Sequence, residues 1–318
     1  MPLSEFQLIA RYFAGLSPPD AEGVVLGIGD DAAILRLPPG EDLLVSIDTL
    51  VAGVHFPPSL SPRAIGHRAL AVNLSDLAAM GARPLWFTLA LTLPEVDESW
   101  LGGFADGLGT LAARCGIALI GGDTTRGPLS ITIQVHGAAA PGRALRRDGA
   151  RVGDSLWVTG RPGLAALGLQ RLQAGVAEDA PACATFLWPE PRLAFGRGLG
   201  GLASAAIDVS DGLLADAGHI AERSAVGIEI DATLLPLEGA LGTIPRSEAL
   251  ALCLTGGDDY ELCFTAPAAA SAAIAGLAAA QGLSCRRIGT VVSGAGARCA
   301  GVETTGMGYQ HFRESADG

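Results

Sequence analysis

Four times in this chain a short apolar run meets a loop built from Asp and Gly, and acids in such company constrain the fold. The stretches are Gly27-Ile-Gly-Asp-Asp-Ala-Ala33, Ser46-Ile-Asp-Thr-Leu50 with His55 soon after, Gly121-Gly-Asp-Thr-Thr-Arg126 and Asp208-Val-Ser-Asp-Gly212. A carboxylate among apolar residues loses hydration that only hydrogen-bond donors or a cation replace. In open α/β sheets ligands sit outside the carboxyl ends of strands, so these acids are expected to gather at one crevice. Singly, each stretch also reads as a plain turn, since Asp and Gly are favoured turn residues, and Asp211 as a helix cap. Four together, in a chain with only 17% charged residues, form a pattern.

The acids point to cations, and the cations to phosphate. Carboxylates repel a polyphosphate but bind it through Mg²⁺, which takes oxygen ligands and keeps phosphate oxygens in its shell. The 44 glycines let backbone come close to a ligand. All 21 basic residues are Arg, which excludes a Walker-type lysine, a Schiff base and a lysine general base. Asn73 and Asp76, three apart on an expected helix, share a face flanked by Ala71, Val72 and Leu74, which makes Asp76 a metal candidate rather than a solvated position.

A length of 318 residues suits two packed units, with the break in the Pro/Gly/Arg-rich stretch 141–153, giving domains 1–140 and 148–318. Aromatics are only 5%, so Ala, Val, Leu and Ile fill the core. Helices are expected over 4–15, 61–80, 99–115, 164–174, 191–202, 212–225 and 268–281. Strands are expected over 43–47, 85–93, 117–120, 130–138, 155–159, 206–209, 228–231 and 260–265. Several strands follow one another directly, so the fold class is α/β of α+β-like character: mixed sheets with helices on one face of each.

The formal charge of −12 with no basic stripe argues against nucleic acid as a partner. No signal peptide and no uncharged run of spanning length stands out, so no membrane partner and a cytoplasmic location are expected. The six cysteines form no C-x-x-C pair and read as buried free thiols.

Six segments in order resemble the motifs of the thiamine-monophosphate kinase family, within the aminoimidazole ribonucleotide synthetase superfamily. They are Gly27–Ala33, Ser46–Phe56, Asn73–Pro84, Gly121–Pro128, Asp208–Leu213 and Gly256-Gly-Asp-Asp-Tyr-Glu-Leu262. The resemblance implies a two-domain fold like that of aminoimidazole ribonucleotide synthetase. It further implies a homodimer built on the N-terminal sheets, several Mg²⁺ ions, and transfer of the ATP γ-phosphoryl group to thiamine monophosphate. By resemblance the metal ligands are Asp30, Ser46, Ile47, Asp48, Asp76, Asp123, Asp208 and Asp211. Gly122, Asp123, Arg147 and Ser210 meet the nucleotide, and Asp48, Asp211 and Arg147 are catalytic. His55, Asp258, Asp259 and a C-terminal aromatic, Tyr309 or Phe312, meet the acceptor. Ile47 has no side-chain oxygen and has only its carbonyl to offer, and Asp258 stands where the family often has Glu, which favours Asp259 as the acceptor contact. Two competing classes are weighed. Another ATP-using enzyme of the superfamily would want a reactive Cys in an N-terminal Gly-rich loop or at the C-terminus, and this chain has neither. A non-enzymatic nucleotide- or metal-binding protein would keep the acidic loops without an acceptor site.

Overall fold

In the computed structural model, which describes residues 5–18 and 20–302 (of 5 and 6 the backbone alone), the chain divides into two compact units. The first holds the described residues up to Leu77, then Gly81–Ala144 and Leu187–Leu193; the second holds Ala78–Met80, Leu145–Phe186 and the described residues from Ala194 on.

The first unit opens with α1 (Glu5–Leu8), which widens to a π turn (Ile9–Phe13) and tightens to a 3-10 turn (Ala14–Leu16) where one continuous helix is expected. A two-stranded ribbon, β1 (Val24–Leu26) and β2 (Ile34–Leu35), follows. Then come β3 (Asp42–Val51), α2 (Pro62–Ala79), β4 (Arg83–Leu93), α3 (Glu98–Cys115), β5 (Ala118–Arg126) and β6 (Ser130–Ala139). The four long strands pair in the order β3-β6-β4-β5, antiparallel except for β4 with β5. β3 is therefore an edge strand, and strand alternation divides its side chains. Leu43, Val45 and Ile47 face outward and stay about half exposed (49%, 50% and 57%), while Ser46 and Asp48 lie on the opposite face.

α2 is buried along most of its length: Ile65, Leu70, Leu74 and Leu77 are all buried, and the polar Arg68 and Asn73 are buried with them. Its contact with α3 is a seam of glycines. A Cβ on Gly66 would stand 2.1 Å from the Phe104 carbonyl oxygen, and one on Gly107 would stand 2.0 Å from that of Arg63. α3 is capped at its start by Asp97, whose carboxylate accepts from the Ser99 and Trp100 N–H groups, and at its end by Gly116 in the left-handed region (φ 66°).

From Leu145 the chain runs through β7 (Ser155–Thr159), α4 (Leu164–Gln173), α5 (Ala184–Leu187), α6 (Leu193–Gly198), β8 (Ala205–Asp208), α7 (Leu213–Ser224) and β9 (Gly227–Ile230). It ends, within the described residues, in α8 (Arg246–Thr255), β10 (Leu262–Ala266), α9 (Ser271–Ala280), β11 (Cys285–Val292) and β12 (Gly296–Cys299). Six strands form one mixed sheet in the order β12-β9-β11-β7-β10-β8, with only β12 and β9 parallel.

The expectation of helices on one face of each sheet fails here. Leu156, Val158 and Cys263 pack with the α7 residues Leu213, Ala217 and Ile220. Their neighbours Trp157 and Phe264 stack on the other face, where Phe264 also meets Phe195 of α6. A strand buried at every position is covered on both sides, and β7 and β10 are buried throughout, the polar Ser155, Thr159 and Thr265 included. α8, β11 and β12 are not among the expected elements. α8 separates its apolar and polar residues only weakly, and β11 begins Cys-Arg-Arg, which hides its alternation. The helix expected over 191–202 keeps only Leu193–Gly198, since Gly200 and Gly201 follow it.

Because both sides of the α2–α3 seam are backbone, an added methyl cannot be accommodated by a rotamer change. Gly66→Ala is expected to cost on the order of 1–3 kcal/mol, the scale of overpacking, read as a lower urea midpoint with an unchanged slope.

Candidate active site

In the first unit two groups of acids form. One lies between β3 and α2. Ser46 Oγ donates to Asp76 Oδ2 at 2.5 Å, and the Asp48 N–H donates to Asn73 Oδ1 at 3.0 Å. Asn73 is fixed in turn by donating from Nδ2 to the Ala69 carbonyl at 2.9 Å. The three-residue spacing of Asn73 and Asp76 thus presents both to the same strand. Enclosure by protein, and after it the charge of Asp76, push the Asp48 carboxyl up to about 6, although its surface is open on one side. The Ile47 side chain is exposed on the opposite face of β3 from Ser46 and Asp48.

The second group lines a cavity of about 610 Å³ bordered by Gly27–Ala33, by Thr88 and Leu89 of β4 and by Leu119–Thr124. Asp30 and Asp123 are both exposed on its wall, with Asp30 Oδ1 accepting from the Asp31 N–H at 2.8 Å. Gly122 is required there: a Cβ would sit 1.8 Å from the Leu89 carbonyl oxygen of the paired strand. His55 closes a turn. Its Nδ1 accepts from the Val51 N–H at 2.9 Å, which leaves the proton of the neutral ring on Nε2.

In the second unit β8 ends at buried Asp208, and the chain turns through Ser210, Asp211 and Gly212 into α7. One residue not chosen from the sequence governs this turn. Asp216, 2% exposed in the first turns of α7, accepts from the N–H groups of Ser210, Asp211 and Gly212, each at 3.1 Å to the same Oδ2. Burial, then the charges of Asp208 and Asp211, push its carboxyl up to about 8 against the pull of those N–H groups. The carboxylates of Asp211 and Asp216 and the His219 ring place atoms within 4.8 Å of one another. The signal that would have found Asp216 is an acid four residues after the Gly that opens a helix.

The 256–260 loop is tied to this turn: Asp258 N–H donates to the Ser210 carbonyl and Tyr260 N–H to that of Val209, both at 2.8 Å. Asp258 and Tyr260 take left-handed backbone (φ 63° and 51°), and the Tyr260 hydroxyl donates to Asp258 Oδ1 at 2.9 Å. Asp259 does not face outward as an acceptor contact would. It is 3% exposed, and its two oxygens accept from the Gly163 and Ala165 N–H groups at 2.7 and 3.2 Å, capping α4. Burial holds its carboxyl well above the usual range. The preference for Asp259 over Asp258 is corrected accordingly: Asp258 borders a surface cavity of about 300 Å³ with Gln170, Gln173 and Thr255. Arg147 is exposed, its carbonyl accepting from Ser224 Oγ at 2.8 Å. Tyr309 and Phe312 lie outside the described residues.

Comparison with known proteins agrees with these motifs. Residues 29–139 match the AIR synthase related protein N-terminal domain, and residues 151–300 its C-terminal domain. The Escherichia coli K12 thiamine-monophosphate kinase is 52% identical over 273 residues, 84% of each chain. The chain belongs to the thiamine-monophosphate kinase family. A crystal structure of the family's kinase from Stenotrophomonas maltophilia K279a superposes with a TM-score of 0.87 at 48% identity, covering 95% of this chain and 98% of that one. A solved structure of AaThiL complexed with AMPPCP and TMP gives 0.78 at 32%, covering 98% and 99%. The two-domain mixed α/β fold expected from the resemblance is the fold observed.

The raised Asp48 carboxyl gives a signed expectation in metal-free buffer. Between about pH 4 and pH 6 the native state keeps a proton that the unfolded chain has released, so this group's contribution to stability falls as pH rises through that window. Asp48→Asn removes the contribution. The urea midpoint of the variant is expected to gain on that of the unsubstituted protein as pH is raised from 4 to 6; parallel profiles would contradict it.

Proposed function

We propose that this chain transfers the γ-phosphoryl group of ATP to thiamine monophosphate, giving thiamine diphosphate. The observation that carries the reading is the 52% identity to the Escherichia coli kinase over 84% of both chains, with the motif acids placed as described.

The donor set suits a hard cation. Ser46, Asp48 and Asp76 offer oxygen only, and the Asp76 carboxylate lies close enough to disfavour charge on Asp48. In the first unit Asp30, Ser46, the Ile47 carbonyl, Asp48, Asp76 and Asp123 would hold Mg²⁺; in the second, Asp208 and Asp211 would. When bound, the ions neutralise phosphate charge as two anions approach. Gly122, Arg147 and Ser210 take the nucleotide. His55 meets the acceptor through Nε2, since Nδ1 is committed to the Val51 N–H. Asp258 and Tyr260 take the acceptor contact that Asp259 cannot.

The acceptor is itself a phosphate, largely ionised near neutral pH because its second pKa is about 6, so no strong general base is needed. No lysine is present, and no Ser-His-Asp or Cys-His arrangement in the sequence marks an activated nucleophile, which supports a single in-line transfer. With chiral γ-phosphate the product should show inversion; net retention would require a covalent intermediate and overturn the mechanism. Asp48→Asn or Asp211→Asn is expected to lower turnover by at least ~10²-fold, the scale of losing one electrostatic stabiliser, while His55→Ala raises mainly the acceptor KM. Free thiamine accepted in preference to the monophosphate would refute the assignment.

We also assign a homodimer to the outer face of β3, supported by the apolar row Leu43, Val45 and Ile47 on an edge strand. The cytoplasmic location rests on six free thiols; in the described residues no helix is long and apolar enough to cross a membrane. Val45→Asp with Ile47→Asp should halve the mass seen by light scattering, and an unchanged mass would place the interface elsewhere.

A further inference from the structure

We infer that Asp216 is a positioning residue: by filling the opening of α7 with its own carboxyl oxygen, it turns what would be an anion-binding loop into one that presents carboxylates to a cation.

Three consecutive N–H groups, those of Ser210, Asp211 and Gly212, converge on one point at the start of α7, each 3.1 Å from Asp216 Oδ2. Convergent backbone N–H groups at a helix start are the usual seat of a phosphate oxygen. Here the seat is taken from within. α7 has no side-chain cap from Gly212, the residue at which a capping side chain would normally stand. Asp216 supplies the acceptor instead, from four residues further on. Gly212 cannot be replaced by a capping residue at no cost, since its φ is 123° and a Cβ would lie 2.9 Å from the Thr255 Cα.

The arrangement has two consequences. First, phosphate cannot reach these three N–H groups, so the loop meets a nucleotide through side chains. Second, three N–H groups held on Asp216 tie the backbone of the turn to α7, and that backbone carries the Asp211 side chain and the Ser210 hydroxyl beyond Asp208 at the end of β8. Asp216 thereby acts through Ser210 and Asp211. This inference rests on the reading of that turn as the part of the chain that holds Mg²⁺ and nucleotide.

The test uses the full chain and two variants, Asp216→Asn and Asp216→Ala. Asn keeps one oxygen in the seat and Ala none. Calorimetric titration with the Mg²⁺ complex of AMPPCP reads the loop without turnover, and steady-state kinetics add the KM for ATP and for thiamine monophosphate. Affinity for the analogue is expected to fall about tenfold in Asp216→Asn and on the order of 10²-fold in Asp216→Ala, the scale of one to two hydrogen bonds to a buried acceptor. The KM for ATP should follow the same order, and the acceptor KM should move less than the KM for ATP. Loss of thermal stability with unchanged analogue affinity in both variants would show a purely structural residue and overturn the inference. So would an equal loss in Asn and Ala, which marks Asp216 as a direct ligand rather than a seat for N–H groups. If Asp216→Ala does not fold, Asp216→Val takes its place as the variant with no oxygen in the seat, and Asp216→Asn with unchanged analogue affinity still overturns the inference by itself. Absence of any turnover by the unsubstituted chain, with the analogue affinities ranked as expected, would instead count against the kinase reading and leave the role of Asp216 supported.

Discussion

A carboxylate drawn out of water must be met by hydrogen-bond donors or by a cation, and this molecule answers that demand in two different ways. Asp216 is met by three backbone N–H groups, Asp259 by two, and Glu261 by the Thr159 hydroxyl at 2.6 Å. These acids brace loops. Asp48 and Asp76 are instead brought together from a strand and a helix so that one raises the proton affinity of the other. Their proximity stores a repulsion that a divalent ion would release. The bracing acids are buried to a few per cent, whereas Asp30, Asp48 and Asp123 remain accessible. Backbone donors thus mark Asp216 and Asp259 as bracing acids, while burial alone does not sort the rest, since Asp208 at the end of β8 is buried as well.

The absence of lysine sharpens this division. A mobile ammonium group can swing to whichever anion needs it. Here the basic groups are guanidinium forks, and several are engaged on the surface: Arg83 with Glu22 and Glu41, Arg286 with Glu238, Arg114 with Glu190. Neutralisation of phosphate then falls to ions held by carboxylates, a coherent reason for an acidic chain to handle an acidic substrate.

How far this was legible in the sequence depends on whether a residue announces itself locally. The strands that end in acids, the long helix carrying Asn73 and Asp76, and the Gly-Gly-Asp turn at 121–123 are local patterns. Their meeting across β3 and α2 follows from a spacing that can be read. Asp216 was missed because its partners are backbone atoms, which leave no trace in residue type. Asp259 was misjudged for the same reason: in sequence it stands beside Asp258, and only the fold shows that its oxygens reach the amides opening α4. The second face of the six-stranded sheet escapes because β7 offers only the apolar run Leu156-Trp157-Val158 between Ser155 and Thr159, too short to tell a strand covered on one side from one covered on both.

The glycine seam between α2 and α3 has a mechanical consequence for the acids that α2 carries. Helices held apart by side chains can settle closer when rotamers shift or small voids collapse. At Gly66 and Gly107 the main chain of one helix already touches that of the other, and close-packed interiors compress little. Hydrostatic pressure acts on proteins chiefly by removing internal void volume, and at these two positions there is no room even for a methyl group. Asn73 and Asp76 therefore ride on a nearly incompressible mount, so their height above α3 should hold at kilobar pressures that distort looser parts of the chain.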